Sequence, residues 1–461
     1  MGRGRTQGHV KTLGIDKVTS FALGPYQTAV IRIGFAATWL FFLLRELPHR
    51  HELYGPDGPW NWDMAQQLIA SNGAFTALMW SDGQIWFEIV YALAIVSSAL
   101  LLLGWHTRAM SVLFMVGVLS LQNRSIFMGD GGDNVIHLMA TYLVFTRCGQ
   151  VWSLDARRAA RVRARARVAA TEDATDAEAE EAGEGVQAGE GVEAWEAVEA
   201  TVPVDRVGAA LWWVLGLGLS TVTFMGELSG GWLLFFWGLW LVHGLWWAVG
   251  RRAPRSELHK LLDVVANLAH NAGLLVIMVE ACLIYATAGW YKIQGSRWQD
   301  GTAVYYPLNL DYFSPWPALS ELLSSSGTMV LLVTYGTVAV QVAFPFTLFN
   351  RRVKNVLLAV MIVEHAVIAV VLGLPFFSLA MIAADAVFLP TSFLRRLGGW
   401  AARARGGVVS RLRSVRSVGS ASSVGSARSA KSGMGAVPDP RLQGGKRGEE
   451  PTEHARVGFT P

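Results

Sequence analysis

A soluble chain of 461 residues would form two or three domains, but 52% hydrophobic residues, only 16% charged residues and a mean hydropathy of +0.34 exclude an ordinary globular protein. The net charge of +4 is not a nucleic-acid footprint, because the basic residues alternate between loops instead of forming one stripe. Two cysteines, Cys148 and Cys282, sit far apart in apolar runs, which supports neither a disulfide framework nor a metal site.

The composition points to an all-α polytopic transmembrane helical bundle. A helical span needs about 20 mostly apolar residues, and about ten such runs follow one another. They lie near 26–46, 85–105, 109–122, 132–149, 207–226, 231–249, 264–291, 328–349, 355–373 and 375–390. The last two, split by Gly373 and Pro375, can also be one broken helix. A basic stretch over 1–25 precedes the first run, but no small-residue cleavage site follows Leu44, so the first run is expected to stay as a span. Nineteen Trp suit the bilayer, where indole rings favour the headgroup level.

Lys and Arg are enriched in alternate loops, which sets the orientation. Arg3, Arg5, Lys11 and Lys17, then Arg108, the run over 157–167, Arg251, Arg252 and Arg255, and finally Arg351, Arg352 and Lys354 mark one side as cytoplasmic. The loops 47–84, 123–131, 227–230 and 292–327 hold only Arg50, Arg124, Lys292 and Arg297 and are expected to face outward. Both termini are then cytoplasmic in a cell membrane.

Segment 156–206 passes from Arg/Ala into Ala/Glu/Gly, with almost no branched apolar residue to offset its ordering entropy. It is expected to be a disordered linker, although Ala and Glu can support a transient helix. It separates a first membrane part, 26–155, from a Trp-rich pair of spans, 207–259, and a second membrane part, 260–390. The basic tail 391–461 is expected to be disordered as well. No internal repeat is visible.

Ionisable residues inside a bilayer are costly and mark function or a necessary pairing. Here they are Arg32, His137, Glu280, Lys292, Glu364, His365 and Asp385, with Asp133 at the mouth of the fourth span. Arg32, Glu280 and Asp385 are candidates to neutralise one another. Lys292 ends a long apolar run on the side where positive charge is scarce. It reads either as a lysine snorkelling to the interface beside Trp290 and Tyr291, or as a desolvated amine usable as a base.

The loop that follows carries Ala288-Gly289, Lys292, Trp298, Gly301, Tyr305-Tyr306 and Phe313-Ser314-Pro315. This order resembles the HTTM domain family, the group of the vitamin K-dependent gamma-glutamyl carboxylase. Further matches are Arg32-Ile33-Gly34, Leu103-Gly104 through Arg108, Trp152-Ser153-Leu154-Asp155, and Glu364-His365 followed by Gly373 and Phe377-Ser378. The likeness covers about residues 20–160 and 260–390.

The resemblance implies a quinone-dependent carboxylase or epoxidase in which Lys292 is the base acting on reduced menaquinone or vitamin K. Asp133, Asn134, His137 and His365 would shape the catalytic pocket, with the register over 131–137 open between Asn134, Asp133 and His137. Trp298, Tyr305, Tyr306 and Arg32 would contact the cofactor. The partners expected are the lipid bilayer, a quinone and a membrane or redox protein, with no nucleic acid and no metal. The large lumenal substrate domain of the carboxylases has no counterpart here. A non-catalytic membrane scaffold, a partner of a redox protein or a transporter therefore stands as the alternative.

Overall fold

The computed structural model describes residues 15–181, 205–228 and 230–405. Among these the chain is all α-helix with short 3-10 turns and no strand. Seven helices are long and apolar enough to cross a membrane, or eight if the bent pair Pro375–Phe388 and Thr391–Arg405 counts as one span. The protein is a multi-pass helical membrane protein.

The helices that matter below are α1 (Pro25–Glu46), α2 (Gln84–Leu103), α3 (Thr107–Arg124), α4 (Gly131–Leu143), α5 (Leu154–Glu181), α6 (Arg206–Phe224), α7 (Gly230–Arg252), α8 (Glu257–Gln294), α9 (Gly327–Ala343), α10 (Arg351–Val371) and α11 (Pro375–Asp385). Three expected spans are shorter or more polar than a free-standing span. α3 has 18 residues but carries Arg108, Gln122, Asn123 and Arg124, α4 has 13 residues and α11 has 11. They pack inside the bundle instead, and their buried faces contribute to its core.

The helix ends follow local chemistry. α2 stops at Gly104, whose φ of 71° suits a residue without Cβ, and the bonds Trp105 N to Leu100 O and Gly104 N to Leu101 O form a Schellman ending. The Asp155 carboxylate then accepts from His106 N, Thr107 N and Thr107 Oγ1, capping α3 from a distant part of the chain. α4 opens on a reciprocal capping box between Asp130 and Asp133.

Apolar stripes point outward along the spans. On α10, Val353, Val356, Val360, Val363, Val367 and Val370 are all exposed at alternating three- and four-residue spacing, one helix face. A water-soluble protein would bury such a stripe, whereas lipid solvates it. Charges turn inward or to the ends.

α11 is the central short helix and packs on α1, α4 and α10. Small residues allow this closeness: a Cβ on Gly34 of α1 would lie 2.5 Å from the Ala383 side chain, and one on Gly132 of α4 would lie 2.6 Å from Phe377 Cα. α8, at 38 residues, is about 57 Å long at 1.5 Å per residue, which exceeds a hydrocarbon core of about 30 Å. Its first half carries Asp263, Asn267, His270 and Asn271 on one face. They bind Arg147 and the backbone of Val18, Thr19, Phe21 and Leu23.

The expected linker begins as a helix: α5 continues unbroken to Glu181. Its regular Ala spacing provides the helix propensity that the lack of apolar residues does not remove. Residues 182–204 lie outside the described residues, as do residues 406–461 of the expected tail. The Trp-rich pair, α6 and α7, is clasped by Trp212 and Trp240, stacked at 4.0 Å. Each indole donates to the other residue's carbonyl, at 3.1 and 2.9 Å.

Candidate functional site

Lys292 lies in the last turn of α8, where Gly295 closes the helix by donating to the carbonyls of Tyr291 and Lys292. Its ammonium sits 4.9 Å from the centroid of the Trp298 ring and donates to Gln341 Oε1 at 2.5 Å. Gln341 Nε2 in turn donates to Glu364 Oε1 at 2.9 Å. The amide orientation is determined by these two bonds, since Lys292 can only donate and an ionised Glu364 can only accept. One amide thus joins a cation on α8 to a carboxylate on α10, and no direct Lys292–Glu364 ion pair is needed.

A second polar group lies two turns back along the same face of α8. Tyr285 is buried, and its hydroxyl lies 3.1 Å from His365 Nε2. Asp385, the last residue of α11, is 0% exposed, and neither carboxylate oxygen has a hydrogen-bond partner of ordinary geometry. The His365 ring meets Phe377 edge-on at 5.6 Å, and Phe377 abuts Gly131 and Gly132 at the start of α4. His365 therefore faces the same polar interior as Tyr285, one residue on from Glu364.

The loop after α8 is pinned to α9 by Tyr335 Oη donating to Gln299 O at 2.8 Å and by Val304 N donating to Thr334 Oγ1 at 3.4 Å. Asp300 in this loop accepts from Thr302 N and Oγ1, and the Thr302 hydroxyl bond leads the contacts that hold its carboxyl below the ordinary carboxylate range. Tyr305 and Tyr306 meet edge-on at 6.0 Å, and Arg297 lies 5.0 Å from the Tyr306 ring. Of the expected aromatic contacts, Trp298 alone touches Lys292.

The expected second set of residues stands apart. His137 Nδ1 is 3.1 Å from Gln122 Oε1, and Gln122 Nε2 donates to the Asp133 carbonyl at 3.0 Å. The Asp133 side chain belongs to the capping box of α4, and Asn134 is exposed. The pairs Tyr142–Glu280 at 3.5 Å and Arg147–His270 at 2.7 Å make α4 antiparallel to α8, so the first turn of α4 points toward the Lys292 end. Among the described residues no hydrogen bond, ion pair or ring contact joins His137, Asp133 or Asn134 to Lys292.

Arg32 is elsewhere and does other work. Its guanidinium is 0% exposed and donates to four carbonyls: Cys148 at 3.2 Å, Leu101 at 2.5 Å, Leu102 at 3.0 Å and Trp152 at 2.8 Å. These groups lie at the level of His270, about 33 Å down α8 from Lys292 at 1.5 Å per residue. Arg32, expected as a cofactor contact, satisfies the orphan carbonyls that end α2 and shape the 148–152 turn. The expected mutual neutralisation of Arg32, Glu280 and Asp385 is corrected, since Glu280 bonds the Tyr142 hydroxyl and Arg32 meets neither acid.

Gln341 and Tyr285 were not among the residues picked out from sequence. Gln341 had a visible signal, being the one amide in the mostly apolar α9. Tyr285 had none, because a tyrosine in an apolar run reads as core. A surface cavity of about 450 Å³ is lined by His51, Glu52, Asp57, Gly58, Pro59 and Gln84 and shares no residue with the Lys292 group. Among the described residues no cluster of His, Cys, Asp or Glu suits a metal ion.

No family model matches the chain, and no solved structure matches it. One stretch of 110 residues is 30% identical to the uncharacterized protein YitO of Bacillus subtilis (strain 168), covering 23% of this chain and 35% of that protein. The chain thus spans about a third of the length of the curated relative it matches.

Proposed function

We propose that the chain is an HTTM-like membrane protein that acts on a reduced, lipid-soluble quinone, with Lys292 as the base and its loop on the extracytoplasmic face. The observation that carries this reading is the setting of Lys292. Its amine is held between an indole face and an amide at the end of a span, beside the exposed apolar side chains Leu283, Trp290 and Ile293.

These residues fit a prenylated hydroquinone. An amine suits an acidic hydroxyl, an indole face suits a flat ring, and lipid-facing apolar side chains suit a prenyl tail. A bound hydroquinone would supply reducing power. The chain's part is for Lys292, in its neutral amine form, to take the hydroxyl proton onto Nζ, while Gln341 Oε1 holds one N–H and so directs the nitrogen lone pair away from α9. Glu364 anchors Gln341 from behind.

The alternation of basic loops supports cytoplasmic termini and an outward Lys292. A second reading, a non-catalytic scaffold or redox-protein partner, draws on the closed set of bonds around Gln341, which would serve equally as glue between helices. The two readings separate on quinone retention. Protein purified from menaquinone-containing membranes and washed in detergent should carry quinone, and Lys292→Ala should carry much less. Equal, background quinone in both would favour the scaffold.

A further inference from the structure

Five arginines among the described residues are not exposed: Arg32, Arg50, Arg108, Arg124 and Arg147. Four have hydrogen-bonded partners. Arg32 has four carbonyls, Arg124 bonds the carbonyls of Gly55 and Trp60, Arg50 pairs with Glu88 at 2.9 Å, and Arg147 binds Asp263 and Asn267. The side chain of Arg108, in the first turn of α3, has neither a hydrogen bond nor an ion pair among the described residues. Its guanidinium carbon lies over the ring of Trp246 on α7, 3.4 Å from the centroid.

The surroundings of Arg108 are basic. Arg147 lies 5.5 Å from the same Trp246 ring, so two guanidinium groups meet one indole. The two carboxylates within reach of Arg108, Asp155 and Asp263, are committed elsewhere: Asp155 to the α3 cap, Asp263 to Arg147 and His259. A half-buried cation without a direct partner is costly, and among the described residues no carboxylate makes a direct contact with this guanidinium.

The neighbourhood also says where an anion would come from. No residue in the apolar window of α7 is fully buried inside the protein, so this helix lies at the edge of the bundle with one side open to lipid. Trp246 and Trp247 precede Arg251 and Arg252 at its end, and Arg251 lies 5.8 Å from the Trp247 ring, the pattern of a helix end at the headgroup level.

We infer that Arg108, seated on Trp246 beside Arg147, is a binding site for the phosphate of an anionic phospholipid headgroup. A guanidinium over an indole ring can keep edge N–H groups for phosphate oxygens, which a lysine cannot match. Arg147, already neutralised by Asp263, sets the positive field without competing for the ligand. The site is independent of the Lys292 reading.

Native mass spectrometry of the full chain, with phosphatidylglycerol and phosphatidylcholine of identical acyl chains, tests it. The wild type should retain phosphatidylglycerol over phosphatidylcholine by about fivefold, the worth of one basic residue at an anionic membrane surface. Arg108→Gln should lose that preference, while Arg251→Gln, on the exposed helix end, should keep most of it. Inorganic phosphate at millimolar concentration should not displace the lipid. An equal preference in wild type and Arg108→Gln, or displacement by inorganic phosphate alone, would overturn the assignment. Should Arg108→Gln fail to fold, the wild type still decides: no preference between the two lipids contradicts the site.

Discussion

The Lys292 ammonium donates to Gln341 Oε1 at 2.5 Å, across the contact between α8 and α9. Because Gln341 also donates to Glu364, a single amide holds both charges in place. Gln341→Leu should remove one hydrogen bond from each of the two half-buried charges, costing about 1.5–3 kcal/mol, the range for a hydrogen bond to a charged group. Gln341→Glu gives Lys292 an acceptor of the same length and should fold, although it sets a second carboxylate beside Glu364. Thermal unfolding in nanodiscs should rank wild type above Gln341→Glu and Gln341→Glu above Gln341→Leu. A Gln341→Leu protein as stable as wild type would mean that the amide bears no such burden.

Arg32 should matter for folding and not for ligand. Arg32→Met strips hydrogen bonds from the carbonyls of Leu101, Leu102, Cys148 and Trp152, and the buried acceptors then cost about 1–3 kcal/mol each where nothing replaces the donor. Yield of folded protein should fall steeply. Quinone retained per folded molecule should stay at the wild-type level, and a selective loss of quinone would return Arg32 to the binding site.

Gly104 offers a backbone test of the same corner. Its φ of 71° and the Ser153 side chain pressed against the place where a Cβ would stand both oppose any side chain, and Arg32 Nη1 is 2.6 Å from that place. Gly104→Ala should destabilise by at least the roughly 1–3 kcal/mol of a strained left-handed residue. Measured unfolding midpoints that do not move would show that the α2–α3 corner relaxes freely.

His106 lies in that corner, between the spans. Burial, the leading cause, holds its imidazole below the ordinary histidine range, with Asp205 at 3.7 Å acting in the opposite direction. The unfolded chain takes up a proton near about 6.5, before the folded chain does, so the unfolded state binds more protons as pH falls. The stability His106 contributes is therefore present above about pH 6.5 and lost below it. Unfolding midpoints followed from about pH 7.5 to 5 should drop for wild type, and His106→Gln should flatten part of that drop.

Much of this architecture is legible in the residue pattern, because apolar runs of about 20 residues and the caps at Gly104 and Asp130 depend on local chemistry alone. The short helices α4 and α11 are less legible. Their burial comes from neighbours, notably the Gly34–Ala383 and Gly132–Phe377 approaches, which no periodicity encodes. Arg32 shows the same limit at the level of a side chain. A buried arginine predicts a partner, but only the fold reveals that the partners are carbonyls 69 to 120 residues away along the chain. Lys292 was visible as an isolated charge at the end of an apolar run, whereas the pairing of Gln341 with it needed the packing of α8 on α9.

The central claim is that Lys292 is a base toward a reduced quinone, and one assay reaches it directly. Reduced menaquinone and oxygen are supplied to wild type, Lys292→Arg and Gln341→Leu in nanodiscs, and quinone epoxide is followed by mass spectrometry. Arginine keeps the charge and the Trp298 contact but cannot give up its proton at neutral pH, so Lys292→Arg should form no epoxide above empty discs while remaining folded. Gln341→Leu should be slowed, because the amine is no longer aimed. Epoxide formed equally by wild type and Lys292→Arg, or by neither above empty discs, would contradict the account.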